Sequence, residues 1–303
     1  MVQTILPMKR LFTYLLFALP LFCAAQSYKK EFTALLQAED TLAQKALLQK
    51  WEKENSNDPE LYVCYFNYHV NLSRQEVLSL QQQPQGEEYL VLKDSANQTA
   101  GYITSSIAYT EHHFNKALEY INKGINKHLT RLDMRFGKCY LLGNVEDFEG
   151  LTKEVVTTLA YAKKINNKWT WDGNKPVEDP KNFMLNSIQG YVGMIYNTGD
   201  DNLLPYMQQI AEAVLKDYPD HIESLSNLSI VYMLQNQPDK ALAPLLKAEK
   251  LNPKDYIVLG NIAHCYKLKG DKANAVKYYE VIARDGDGES KAFAKQQLEK
   301  LSQ

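Results

Sequence analysis

The sequence is poor in the residues that most site chemistry needs. Four cysteines stand among 303 residues, at Cys23, Cys64, Cys139 and Cys265, and none belongs to a C-x-x-C pair. The last three fall in separate apolar helical stretches, a spacing that offers neither a zinc ligand set nor a redox pair. Three buried free thiols are expected. The six histidines are scattered, and His112-His113 is the one adjacent pair. Neighbours on a helix point in different directions, so that pair makes a poor metal site. There is no H-E-x-x-H, no G-x-S-x-G and no G-x-x-x-x-G-K-[ST]. With no nucleophile–base pair or metal set to assemble, the chain reads as a non-enzyme without a cofactor. "RDGDGES" at 284–290 holds acids and glycines but lacks the twelve-residue ligand spacing of a calcium loop. Basic excess is missing too: 34 Lys and Arg face 36 Asp and Glu, a net charge of −2, which leaves no basic stripe for nucleic acid.

Long hydrophobic runs are also missing. "LFTYLLFALPLF" is twelve residues, against the roughly 20 that a spanning helix needs, so no transmembrane span is expected. The run has Lys9 and Arg10 before it and "CAAQS" after it, the three-part pattern of a secretory signal peptide. Residues 1–25 are therefore expected to be removed near Ala25, with either Met1 or Met8 as the start. Lipid anchoring at Cys23 is the weaker alternative, because Phe22 stands where a small residue belongs. Export to a periplasm is the expected localisation. Losing Lys9 and Arg10 shifts the net charge from −2 to −4.

What the chain has instead is a repeat. Leu225 and Leu259, Leu228 and Ile262, Tyr232 and Tyr266, Ala241 and Ala275, Leu245 and Tyr279, and Ala248 and Ile282 are each 34 residues apart. A fixed period of 20–50 residues marks stacked supersecondary units. Leu225, Leu228, Ser229 and Tyr232 fall on one helical face. Asn236 and Gly270 end the first helix of each unit, since both tolerate the left-handed conformation. Pro238 restarts the chain, and Pro253 separates one unit from the next. Ala241 and Ala275 sit where two helices approach closely.

At these residues the chain resembles the tetratricopeptide repeat (TPR) family, whose pattern runs L-x2-[GAS]-x2-Y, then A, a bulky residue, A and P. The resemblance implies an all-α solenoid of helical hairpins over residues 26–303, with its best units at 222–255 and 256–289. A C-terminal capping helix follows at 289–302. Fainter pairs precede them: "YKKEFTALLQAEDTLAQKALLQKWEKENSNDP", "PELYVCYFNYHVNL" with "HFNKALEYINKGINK", "LDMRFGKCYLLGNVEDFEGLTKEVVTTLAYAKK" turning at Gly143-Asn144, and "FMLNSIQGYVGMIYNTGD" with "LPYMQQIAEAVLKDYPDH". Two insertions break the rhythm. Residues 87–109 carry two strand-like runs around "DSANQTAG" and read as a β-hairpin. Residues 166–182 read as a long loop with Trp169 and Trp171.

The resemblance also implies where a partner would lie. The first helices line a concave face, which places Glu223, Ser226, Asn227, Ile230 and Met233, then Ile257, Gly260, Asn261, His264 and Lys267, in a groove. Asn227 and Asn261 match asparagines that grip an extended peptide backbone in many such grooves. The Lys and Asn of a carboxylate clamp are absent at the corresponding positions. The expected function is a non-enzymatic scaffold or adaptor that binds a protein or peptide through this groove or through the hairpin. The alternative is a glycan-binding accessory protein: Trp169 and Trp171 could stack on a sugar, or could simply plug their loop onto neighbouring helices.

Overall fold

The computed structural model describes residues 18–83 and 89–302, with side chains from Ser27 onward. The chain forms two compact units. One comprises residues up to Arg135 with Thr170–Lys175; the other comprises Phe136–Trp169 with Pro176 onward. Most of the expected leader, including Met1, Met8 and the basic pair, lies outside the described residues. Helix α1 begins at Ala18 and continues through Ala25 to Gln37.

In the first unit α1 (Ala18–Gln37) pairs with α2 (Thr41–Glu54), and α3 (Pro59–Ser73) pairs with α4 (Glu111–Lys127). α1 and α3, the leading helices of the two pairs, also touch. Asp40 and Asp58 cap α2 and α3 by accepting hydrogen bonds from Ala43 N–H and Glu60 N–H, which satisfies amides that a helix start leaves orphaned. Trp51, fully buried, donates from Nε1 to Asp58 Oδ2 at 3.1 Å. Leu48, Leu61, Cys64 and Tyr65 complete this core.

Between α3 and α4 stands a sheet with one strand more than the expected hairpin. Strands β1 (Arg74–Gln81), β2 (Tyr89–Lys93) and β3 (Thr99–Tyr109) form an antiparallel sheet in the order β1-β3-β2. β1 follows α3 directly, with no Gly, Pro or Asn to announce the change, so the insertion starts at Arg74 rather than near residue 87. The long loop is also ordered. Two-residue strands β4 (Thr170–Trp171) and β5 (Lys175–Pro176) flank a 3-10 turn at Asp172–Asn174.

Helix α5 (Leu132–Asn144) carries the chain into the second unit, which continues with α6 (Phe148–Lys164), α7 (Pro180–Tyr196), α8 (Leu204–Asp217), α9 (Ile222–Leu234), α10 (Pro238–Leu251), α11 (Tyr256–Leu268), α12 (Lys272–Asp285) and the cap α13 (Gly288–Ser302). Each helix packs on its sequence neighbours from α7 on, and α9 also meets α11. Ala241, Ala248, Ala275 and Tyr279 are fully buried in the core between α9 and α13. Asp287 accepts from Ser290 N–H, so "RDGDGES" serves as the turn into the cap.

The turns inside the hairpins share one device. Glu39, Glu146, Gly199, Asn236 and Gly270 each adopt positive φ just after a first helix, reversing the chain with a single left-handed residue. An Asp follows four of them. The α5–α6 turn therefore falls at Glu146, not at Gly143-Asn144. Gly143 is still helical, and a Cβ there would lie 2.5 Å from Met194 Cε; close helix packing, not a turn, explains that glycine.

Candidate functional site

The most coherent concavity in the second unit lies along α7, α9 and α11. A cleft of about 360 Å³ is lined by Glu223, Ser226, Asn227 and Ile230 of α9, and by Ile257 and Asn261 of α11. Those six positions came from the repeat register. Gln189, Val192, Gly193 and Tyr196 of α7 join them. The α7 residues lie 34 positions before Glu223, Ser226, Asn227 and Ile230. Carrying the period back one more unit finds them, although the surrounding sequence of α7 hides the repeat.

Half-buried amides line the cleft, and Glu223, Ile257 and Tyr196 stand exposed along it. Asn227 Nδ2 donates to Gln189 Oε1 at 2.5 Å, so two helices already share an amide–amide bond across the cleft. Gln189 Nε2 reaches Ser224 Oγ at 3.5 Å, and Ser224 Oγ lies 2.9 Å from His221 Nδ1. Ser226 Oγ is buried without a hydrogen-bond partner among the described residues. Ile257 is 74 % exposed and Tyr196 is 51 % exposed. Side-chain amides both donate and accept, as an extended peptide backbone does, and exposed apolar side chains between them can take up alternate residues of such a strand.

Four expected groove residues lie outside this cleft. Met233 packs on the core of the C-terminal helices. Lys267 Nζ donates to Gln297 Oε1 of the cap at 3.3 Å, which ties it to α13. His264 is exposed and lies outside this cleft; partial desolvation of its ring and the nearby Lys267 charge lower its pKa. Gly260 is half-buried on α11, also outside the cleft.

A larger cleft, about 710 Å³, opens in the first unit between α1, the start of α3 and the 172–175 turn. Part of its charge is tied into one network, while Lys30 and Lys175 also line it. Lys29 Nζ donates to Glu60 Oε2 at 2.7 Å and also pairs with Asp172. Arg131 is 1 % exposed and grips Glu60 Oε1 at 2.6 Å. Its other face holds Asp133 with two bonds, Nε–Oδ1 at 2.8 Å and Nη2–Oδ2 at 2.6 Å. Gly173 N–H donates to Glu60 Oε1 at 2.9 Å, locking the turn onto α3. Burial pulls the Lys29 pKa down, but the hydrogen bonds to Asp172 and Glu60 outweigh it and the net shift is upward. This network braces the fold.

The tryptophans separate. Trp169 is 1 % exposed and packs against Tyr161 at 5.9 Å between ring centroids, so it plugs its loop and has no face to offer a sugar. Trp171 is half-buried. Cys64, Cys139 and Cys265 are buried and not joined in disulfides. Burial raises the Cys64 thiol pKa and pushes that of Cys265 up to about 11, which keeps both thiols protonated and unreactive. His113, edge-on to His112 at 5.1 Å between ring centroids, places its Nδ1 3.0 Å from His69 Nδ1 on α3. That contact has no sequence signal, because it joins positions 44 apart across the inserted sheet. Among the described residues, no group of three or more His, Cys, Asp or Glu is placed to hold a metal ion, and no helix is long and apolar enough to cross a membrane.

Comparison with known proteins gives a consistent class. A family model for the tetratricopeptide repeat matches residues 257–280, which span α11 and the start of α12. No curated relative matches the chain. Similar solved structures include a thermophilic TPR protein of Thermus thermophilus, 13% identical over 62% of this chain and 91% of that one, with a TM-score of 0.38. YrrB, described as a TPR protein with an unusual peptide-binding site, is 15% identical over 82% of this chain and 97% of its own, at a TM-score of 0.40. The C-terminal part of a TPR repeat-containing protein from Cytophaga hutchinsonii is 14% identical over 83% and 76%, at 0.39.

Proposed function

We propose that this protein is an adaptor that holds an extended segment of another protein in the cleft formed by α7, α9 and α11. One observation carries the reading. Three successive first helices present the same repeat positions to one cleft, and those positions supply the amides of Gln189, Asn227 and Asn261 and the exposed apolar side chains of Tyr196 and Ile257. Binding replaces the Asn227–Gln189 bond by bonds to peptide groups, so part of the polar cost of opening it is recovered. The N-terminal pattern of Lys9, Arg10 and the twelve-residue apolar run supports export, and the adaptor would then act in the periplasm with residue 26 near its mature start.

A photo-crosslinking residue placed at Ile257 in the native cell tests the groove. The expected result is capture of one or two defined proteins, reduced at least tenfold by the Asn227→Ala, Asn261→Ala double variant. Capture that the double variant leaves unchanged would refute the groove as the binding surface. The N-terminal residue of the purified native protein, read directly, tests the export reading.

A further inference from the structure

The inserted sheet is a single layer with one aliphatic face. In its register Leu80 lies opposite Ile103, and Ile103 lies opposite Leu90, so one row of aliphatic side chains crosses all three strands. Alternate residues share a face, which adds Leu78, Leu92 and Ile107 to it. Leu78, Leu80 and Leu90 are each about two-thirds exposed, at 67%, 66% and 69%. The one acid on this face, Glu76, sits at its end and accepts a hydrogen bond from Ser105 Oγ at 2.7 Å. The opposite face is mixed, with Ser79 bonded to Thr104 at 2.9 Å and Tyr89 edge-on to Tyr102. The strands contact chiefly one another, and no described helix packs along either face.

We propose that the aliphatic face of this sheet is the contact between two copies of the chain, packed sheet on sheet about a two-fold axis. A three-stranded sheet with a hydrophobic face is stable when that face is covered by a second layer. Two such sheets pack face to face about 10 Å apart with their side chains interdigitated. A self-contact is isologous, so each patch must tolerate its own image. A face with no charge across its centre does so without like-charge repulsion. The exposed aliphatic side chains present on the order of 500 Å² of apolar surface. Two copies therefore bury about 1,000 Å², the lower size for a specific interface. This inference is independent of the peptide groove, which lies in the other unit.

The test is the solution mass of the purified protein by sedimentation equilibrium, from about 1 μM to about 200 μM, the range in which an interface of this size assembles. The expected result is a mass that rises to twice that of one chain. The Leu78→Asp, Leu90→Asp double variant should stay at one chain's mass with an unchanged helical circular dichroism signal. The Val77→Asp, Val91→Asp variant of the opposite face should still dimerise, as should Asn227→Ala, Asn261→Ala. Ile103→Cys, at the centre of the row, should cross-link copy to copy with a short bismaleimide where wild type does not, since Cys64, Cys139 and Cys265 are buried. Three outcomes would overturn the proposal: a monomer at every concentration, a dimer that the Leu78, Leu90 variant leaves intact, or a monomer that floats with phosphatidylcholine vesicles, which would assign the face to lipid.

Discussion

The two units solve helix packing by different means. From α9 to α13 the helices approach through small residues: Ala241, Ala248 and Ala275 are fully buried, with Tyr279 beside them. In the first unit Ala117 is likewise fully buried and Gly124 lies close against Tyr62, but a charged network around Glu60 and Arg131 and a column of aromatic rings are added. Tyr65 stacks on Tyr120 at 4.1 Å, and His69 lies between Tyr120 and His113, at 5.5 Å and 5.3 Å. Small-residue packing is translationally regular, so it repeats every 34 residues and can be read along the chain. Ionic and aromatic packing depends on which side chains from distant segments meet, so it leaves no period.

The sharpest way to break the comparison is to attack each device. Ala241→Arg forces bulk and an unpaired charge into a closed helix contact, at a cost above about 5 kcal/mol. Hydrogen exchange should show α9–α12 losing cooperative protection, and an unchanged pattern would refute the packing register. Arg131→Ala should be next in size. It leaves the carboxylates of Glu60 and Asp133 without their guanidinium in a buried site, which costs roughly 3–5 kcal/mol. Protection should fall in α3 and in the 170–175 turn, and the Glu60→Gln background should absorb part of that loss.

The smallest effect concerns acid. Burial, followed by the neighbouring His113, Lys116 and His112, lowers the His69 pKa to about 4 from an ordinary 6.5, while Glu119 acts weakly the other way. His113 is lowered as well, by burial and by His112. The unfolded chain therefore binds more protons than the folded one between about pH 6.5 and pH 4, and stability falls as pH drops through that window. Below pH 4 this contribution levels off. The melting temperature of wild type should fall further between neutral pH and pH 4.5 than that of His69→Gln, whatever offset the lost ring contacts leave at neutral pH.

Legibility followed the same division. The helical hairpins and the left-handed residues Asn236 and Gly270 could be read because spacing specifies them, while the groove positions came only with the TPR resemblance. Gln189 and Tyr196 obey the same spacing but are masked by the degenerate sequence of α7. Strand β1 escapes because "RQEVLSLQ" follows a helix without a turn residue and carries apolar residues on both of its faces. Gly143 reads as a turn because a glycine demanded by a close neighbour looks the same in sequence as one demanded by φ.

The sequence by itself determined the repeat, its period and the helical hairpins, because local periodicity and close-packing residues are properties of one stretch of chain. Tertiary structure alone decided that Glu60, Arg131, Lys29 and Asp172 form one buried network, that His69 meets His113, and that Trp169 is sealed. It also decided that Leu80, Ile103 and Leu90 share one exposed row. Each of these depends on residues far apart in the chain arriving within a few ångströms of one another, and pairings of that kind are fixed by the fold as a whole.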